Sequence, residues 1–189
     1  MELFKKTIGT LIILFSMVAC ENQPSVSNNT TPSFQENNLA VSDDFTKMEI
    51  FTSGIEGPAI NSKGELFIVN LTREGTIAKI NKNGEAEIYL TLPEGSIGNS
   101  IQFDSIDNMY IADYAGHNIY IVSPSKQLDT LIHHKEFNQP NDIALSSNGE
   151  IYASDPNWSN NSGKLWLIKN GKAIILEDSM GTTNGIVLS

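Results

Sequence analysis

The chain has one cysteine, Cys20, so no intrachain disulfide is available and the fold must be held by packing. Positive charge is also short: 12 Lys and Arg stand against 22 Asp and Glu, a net charge of -10. The only basic run is Lys5-Lys6. Phosphate binding needs clustered Lys and Arg, so a nucleic-acid partner is excluded. The apolar stretch at residues 8–19 falls short of the roughly 20 residues that a membrane-spanning helix requires. Histidine occurs three times, and no Gly-x-Ser-x-Gly nucleophile elbow is present, which argues against a serine-hydrolase site. What remains is a chain of ordinary globular composition with 40% hydrophobic residues. Its acidity suits a cation site, although charge alone establishes only solubility.

Residues 1–20 read as a targeting segment. Lys5-Lys6 supplies a positive start, residues 8–19 an apolar run of signal-peptide length, and Met17-Val18-Ala19-Cys20 the end. Ala19 before a lone cysteine resembles the lipobox of bacterial lipoproteins, with Met17 where Leu is usual. The pattern favours Cys20 as a lipidated mature N-terminus over plain secretion. It predicts an exported protein of the cell envelope that meets a membrane through its lipid anchor only. Residues 21–44 are rich in Ser, Asn, Thr, Gln and Pro. Such a segment buries too little apolar surface to offset its ordering entropy, so the sequence predicts a flexible tether.

An internal repeat dominates the remainder, residues 45–189. Gly57-Pro58-Ala59-Ile60-Asn61-Ser62-Lys63-Gly64-Glu65-Leu66-Phe67-Ile68-Val69-Asn70 aligns with residues 100–113 and again with residues 142–155. A fourth copy begins at Asn184-Gly185-Ile186. Glu56, Asn99, Asn141 and Asn184 are spaced 43, 42 and 43 residues apart. A period in the low forties, built from short strands and turn residues, is the signature of propeller blades. The second repeat holds four strand-like runs, at residues 100–103, 109–112, 118–122 and 128–132. Lys63-Gly64, Asn83-Gly84, Asn148-Gly149 and Asn170-Gly171 supply hairpin turns, because Asn and Gly tolerate positive φ. No helical period survives inside the unit, which sets helical repeats aside. The fold class is therefore all-β: a propeller of four-stranded blades, with three blades and one strand of a fourth in this sequence. Rings have about four to eight blades, so the sequence predicts the N-terminal part of a longer propeller, shortened by about a hundred residues or more.

In a propeller the innermost strand of each blade lines the central channel, so repeat-equivalent residues form a ring at one mouth. Here the ring reads Glu56, Asn99, Asn141 and Asn184, one carboxylate and three amides. All are hard oxygen donors suited to Ca²⁺ or Mg²⁺. The absence of His and Cys from the ring disfavours zinc. Asn and Gly at a strand entrance also serve as plain turn formers, and residue type alone leaves both readings open.

Ile55-Glu56-Gly57-Pro58, Gln139-Pro140-Asn141-Asp142 and Thr183-Asn184-Gly185-Ile186-Val187-Leu188-Ser189 resemble three motifs of the senescence marker protein–gluconolactonase family, a strictosidine-synthase-like group. The resemblance runs from about residue 48 to the end, with the motifs in order and in register. It implies a six-bladed propeller that holds one divalent cation in its channel and hydrolyses lactones or related esters. The cation implied is calcium, with magnesium, manganese or zinc as alternatives. Glu56 becomes a metal-ligating carboxylate and Asn184 an amide ligand. Asn141 sits beside the metal and contacts it or the substrate, and Asn99 is a further substrate-side position. The family's remaining ligand, an Asp that is also its general base, is expected beyond Ser189. The chain alone is therefore expected to be inactive. Sugar-lactone members carry Arg where this chain has Gln139, which weakens the case for an aldonolactone substrate. A non-catalytic propeller presenting loops to a protein or small ligand is the alternative function.

Other conspicuous residues carry plainer readings. Asn70, Asp113 and Asp155 recur at one position of every blade, which suggests turn acceptors. His133-His134 are expected in an exposed loop, His117 in the turn after Gly116 without a part in the site, and Trp158 and Trp166 in core or rim packing.

Overall fold

The computed structural model describes residues 42–189; the targeting segment, Cys20 and residues 21–41 of the tether lie outside the described residues. Among the described residues, twelve strands form three antiparallel four-stranded sheets. The first sheet holds β1 (Ala59–Ile60), β2 (Leu66–Val69), β3 (Thr76–Ile80) and β4 (Ala86–Thr91). The second holds β5 (Gly98–Phe103), β6 (Met109–Asp113), β7 (Asn118–Val122) and β8 (Leu128–His133). The third holds β9 (Ile143–Leu145), β10 (Ile151–Asp155), β11 (Lys164–Lys169) and β12 (Lys172–Glu177). In each sheet spatial order follows chain order, the up-and-down meander of a propeller blade.

Turn chemistry sets the registers. Asn170 and Gly171 both take positive φ, 52° and 69°, and join β11 to β12 as a two-residue hairpin with Lys169 opposite Lys172. The Lys63-Gly64 turn is longer. Gly64 N–H donates to Asn61 O, and Asn61 N–H to Glu65 O, so only Gly64 needs positive φ. Asn83-Gly84 and Asn148-Gly149 follow the same longer pattern.

Two apolar cores lie between the sheets, and strand alternation explains both. Between the first and second sheets lie Phe67, Val69, Ile77, Ile101, Ile111 and Tyr120. Between the second and third lie Ala112, Ile119, Ile143, Ala153, Trp166 and Ile168. Ile111 and Ala112 are neighbours on β6 and point into different cores, so the middle sheet is covered on both faces. That explains the continuous apolar runs of its strands. Each fully buried Ile or Val contributes roughly 1.5–3 kcal/mol. The outward faces of the end sheets are apolar too, with Ile60 and Ile88 exposed on the first and Ile174 on the third.

Two expectations shift. β5 begins two residues early, at Gly98, because a bulge between Gly98 and Ser100 carries Asn99 within the strand. Residues 184–189, expected to open a fourth blade, form no strand: no described strand offers them a ladder to pair with.

Candidate functional site

The four ring positions line one polar-walled cavity of about 280 Å³, together with Asp142. Three of them stand at the entrances of the three sheets and the fourth lies in the segment that follows the third sheet. Glu56 precedes β1, Asn99 lies in β5, Asn141 precedes β9, and Asn184 lies in the segment after β12.

Local chemistry explains the convergence. Gly57 takes φ 51° and lies so close to β5 that a Cβ there would meet Asn99 O and Ser100 Cα, each at 2.4 Å. Only glycine permits that approach, and it seats Glu56 beside the second sheet. Asn99 then crosses to the third sheet, its Nδ2 donating to the main-chain oxygen of Asn141 at 3.1 Å. Asn141 is 8% exposed, and its N–H donates to Ser154 O at 2.9 Å. Asp142 closes the series: Oδ2 accepts from Ile186 N–H at 3.0 Å, two residues past Asn184.

The donor set is rich in oxygen. Among the described residues, the side-chain amides of Asn141 and Asn184 and the Glu56 carboxylate take no protein hydrogen-bond partner. Nor do any three His, Cys, Asp or Glu side chains converge among them. The cavity thus offers one free carboxylate and neutral amide oxygens, donors that fit a hard divalent cation and not a soft one. Asp142 is the residue that the ring pattern overlooked; its signal was its place in Asn141-Asp142, one step past a ring position.

A larger cavity, about 540 Å³, lies between residues 44–47 and the first sheet's outer loops, lined by Phe45, Ile50, Leu71 and Ala86. Its walls are mainly apolar and it includes no ring residue, so the smaller polar cavity is the better functional candidate.

The recurrent strand-end residues turn inward and away from the site. Buried Asp155 accepts from Asn138 N–H at 2.9 Å, Gln139 N–H at 2.6 Å and Trp166 Nε1–H at 2.8 Å. Buried Asp113 accepts from Ile97 N–H and Gly116 N–H, both at 2.9 Å. Asn70 accepts from Gly75 N–H at 3.3 Å and donates to Gly54 O at 3.1 Å. Each fastens the end of its blade's second strand to neighbouring turn backbone.

The histidines stay off the cavity. His133 is exposed, with Nδ1 3.0 Å from Asn118 Oδ1. His134 departs from the exposed-loop expectation: its ring lies 5.1 Å from that of Trp166 and 5.5 Å from that of Phe137. Adjacent residues at a strand end point to opposite sides, so His134 is half-buried against these rings while His133 is exposed. His117 takes φ 60° in the β6–β7 turn and does not line the cavity. Trp166 is core, whereas Trp158 is 51% exposed.

Comparison with known proteins now bears on this arrangement. The family described as SMP-30/Gluconolactonase/LRE-like region matches residues 53–189. The chain belongs to this family. A gluconolactonase of Zymomonas mobilis subsp. mobilis (strain ATCC 31821 / ZM4 / CP4) is 23% identical over 180 residues, 79% of this chain and 51% of the relative. Among solved structures, a gluconolactonase from Xanthomonas campestris superposes with TM-score 0.56 at 16% identity, over 66% of this chain and 47% of that one. Regucalcin from Agrobacterium tumefaciens, described as a calcium-binding protein, superposes with TM-score 0.53 at 16% identity, over 66% and 43%. The structural likenesses establish the fold. The chain spans about half the length of these SMP-30/gluconolactonase-like relatives.

Proposed function

We propose that these blades belong to a hydrolase of lactones or related small esters whose channel holds a divalent cation, calcium first among candidates. The observation that carries the reading is the meeting of Glu56, Asn99, Asn141 and Asn184 in one cavity, with oxygen donors unclaimed by the protein. Family membership supports the ester-hydrolysing class. A bound cation would supply a Lewis acid for the ester carbonyl and lower the pKa of nearby water.

The chain's own residues have separable roles in this reading. Glu56 contributes the free carboxylate, and Asn141 and Asn184 contribute neutral oxygens in the same cavity. Asn99 fixes the main chain at Asn141. Water adds to the carbonyl carbon, the ring C–O bond breaks, and the products are a carboxylate and an alcohol. The resemblance assigns the proton acceptor for that water to an Asp beyond Ser189. Gln139 places no guanidinium at its position, so we do not extend the reading to an aldonolactone. Export and a lipid anchor at Cys20 would place the activity in the cell envelope.

The test is calorimetric titration of Ca²⁺, Mg²⁺ and Mn²⁺ into the full-length protein, paired with lactone and aryl-ester hydrolysis. Glu56→Gln and Asn184→Ala are expected to lose both cation affinity and turnover. Hydrolysis that persists in chelator, or a wild type that binds no divalent cation, would overturn the metal reading. Cation binding without hydrolysis would favour a ligand-presenting propeller.

A further inference from the structure

The Asp142 carboxylate is engaged twice. Oδ1 accepts from the N–H of Ile143 at 2.9 Å, and Oδ2 from the N–H of Ile186 at 3.0 Å, 44 residues along the chain. The main chain around it is fixed as well. Asp142 N–H donates to Ser154 Oγ at 3.1 Å, and Asp142 O accepts from Ser154 N–H at 2.9 Å, with Ser154 buried. Asp142 is therefore a rigid post at the entrance of the third sheet.

The segment it grips has little else to hold it. Residues 183–189 form no strand, and Asn184 and Gly185 are exposed. Apart from the Asp142 bond, the segment's other side-chain hydrogen bond among the described residues is Thr183 Oγ1 donating to Lys164 O at a long 3.4 Å. A hydrogen bond to a charged acceptor is stronger than one between neutral groups. The Ile186 bond is thus the chief fixed point within two residues of Asn184.

We propose that Asp142 is a positioning residue: its carboxylate fastens the Asn184-Gly185-Ile186 segment to the third blade and so sets where the Asn184 amide stands in the cavity. Asp142 lines the same cavity but acts through Asn184 and not as a ligand. The part of this inference that concerns cation affinity rests on the proposed function; the fastening does not.

Two measurements on the full-length protein separate these parts. The first is amide hydrogen exchange, read on peptides spanning residues 184–188 without added metal. Asp142→Ala is expected to speed exchange there by about tenfold while leaving β10 and β11 unchanged. Asp142→Asn, which keeps an acceptor, is expected to fall between. Unchanged exchange in both variants overturns the fastening. If Asp142→Ala does not fold, Asp142→Asn carries the same readout alone.

The second is a double-mutant cycle on calcium affinity with Asp142→Ala, Asn184→Ala and the pair. Asp142→Ala is expected to weaken binding by about 10–100-fold, as loss of an orienting partner does, and to add little once Asn184 is gone. Fully additive losses overturn positioning and make Asp142 an independent contributor. A wild type that binds no cation, with exchange still accelerated, removes the metal reading and leaves the fastening intact.

Discussion

Asn99 and Asn141, 42 residues apart, are joined across two blades by a single bond from the Asn99 amide nitrogen to the Asn141 main-chain oxygen, 3.1 Å long. It is the middle of three links that run one way around the cavity. Gly57 packs against Asn99 O, Asn99 reaches Asn141, and Asp142 reaches Ile186. Each ring position is therefore located by the blade next to it. Asn99→Ala should cost about 1 kcal/mol of stability, the usual net worth of one such bond. It should also weaken cation binding less than Glu56→Gln, because Asn99 supports a ligand position and Glu56 supplies the free charge. Urea melts and calorimetric titration of both variants check this. A loss of affinity for Asn99→Ala equal to that of Glu56→Gln would mean that Asn99 is itself a ligand.

Asp155→Ala should be far more costly to folding and neutral for chemistry. It strands two main-chain N–H groups and the buried Trp166 indole N–H. At about 1–3 kcal/mol per unsatisfied buried donor, the sum is a large part of a domain's stability of about 5–15 kcal/mol. Asp155→Asn should lose less, since its amide oxygen can still accept. Trp166 fluorescence through a denaturant titration reports the loss directly. Activity per folded molecule in Asp155→Asn should match wild type; a deep fall in turnover would give this carboxylate a catalytic part.

The blade architecture was legible because a 42–43-residue period in residue type survives in the sequence, and the period-two strands follow from it. Convergence of the ring positions was legible for the same reason, since equivalent residues of successive blades must meet at the channel. Other features depend on contacts that residue type does not encode. Asp142 matters through the main-chain N–H of Ile186, which any non-proline residue would offer. His134 could not be told from His133 without knowing which side of the strand end meets Trp166. The start of β5 at Gly98 depends on a bulge that only the pairing with β6 reveals.

Cys20 can be tested independently of the propeller. Lys5-Lys6, the apolar run and Ala19-Cys20 lead us to expect a fatty-acylated mature N-terminus. Expressed with its leader, the protein should incorporate a fatty-acid probe and fractionate with membranes, and Cys20→Ser should abolish labelling. Equal labelling of both proteins would leave plain secretion as the better account. Two acyl signals anchor stably where one chain binds only marginally, so mass spectrometry of the N-terminal peptide should show more than one chain.

Gly57→Ala is the sharpest test of how the cavity is built, because its two costs can be separated. Positive φ alone costs an alanine about 1–2 kcal/mol. Gly64 provides that cost in isolation: its φ is 74°, and a Cβ there would find nothing within 4 Å. Gly57 adds a second cost, since its Cβ would meet Asn99 O and Ser100 Cα at 2.4 Å. Both obstructing atoms are main chain, so no rotamer change relieves them and β1 must move away from β5. Glu56 precedes Gly57 and must move with it. Both variants should therefore melt earlier, Gly57→Ala more so, but only Gly57→Ala should also lose cation affinity, to the extent that Glu56→Gln does. Thermal melts without metal measure the first effect, and calcium titration of folded protein the second. If Gly57→Ala binds calcium as tightly as Gly64→Ala, the close approach of the two blades is not what seats Glu56, and its carboxylate reaches the cavity by some other constraint.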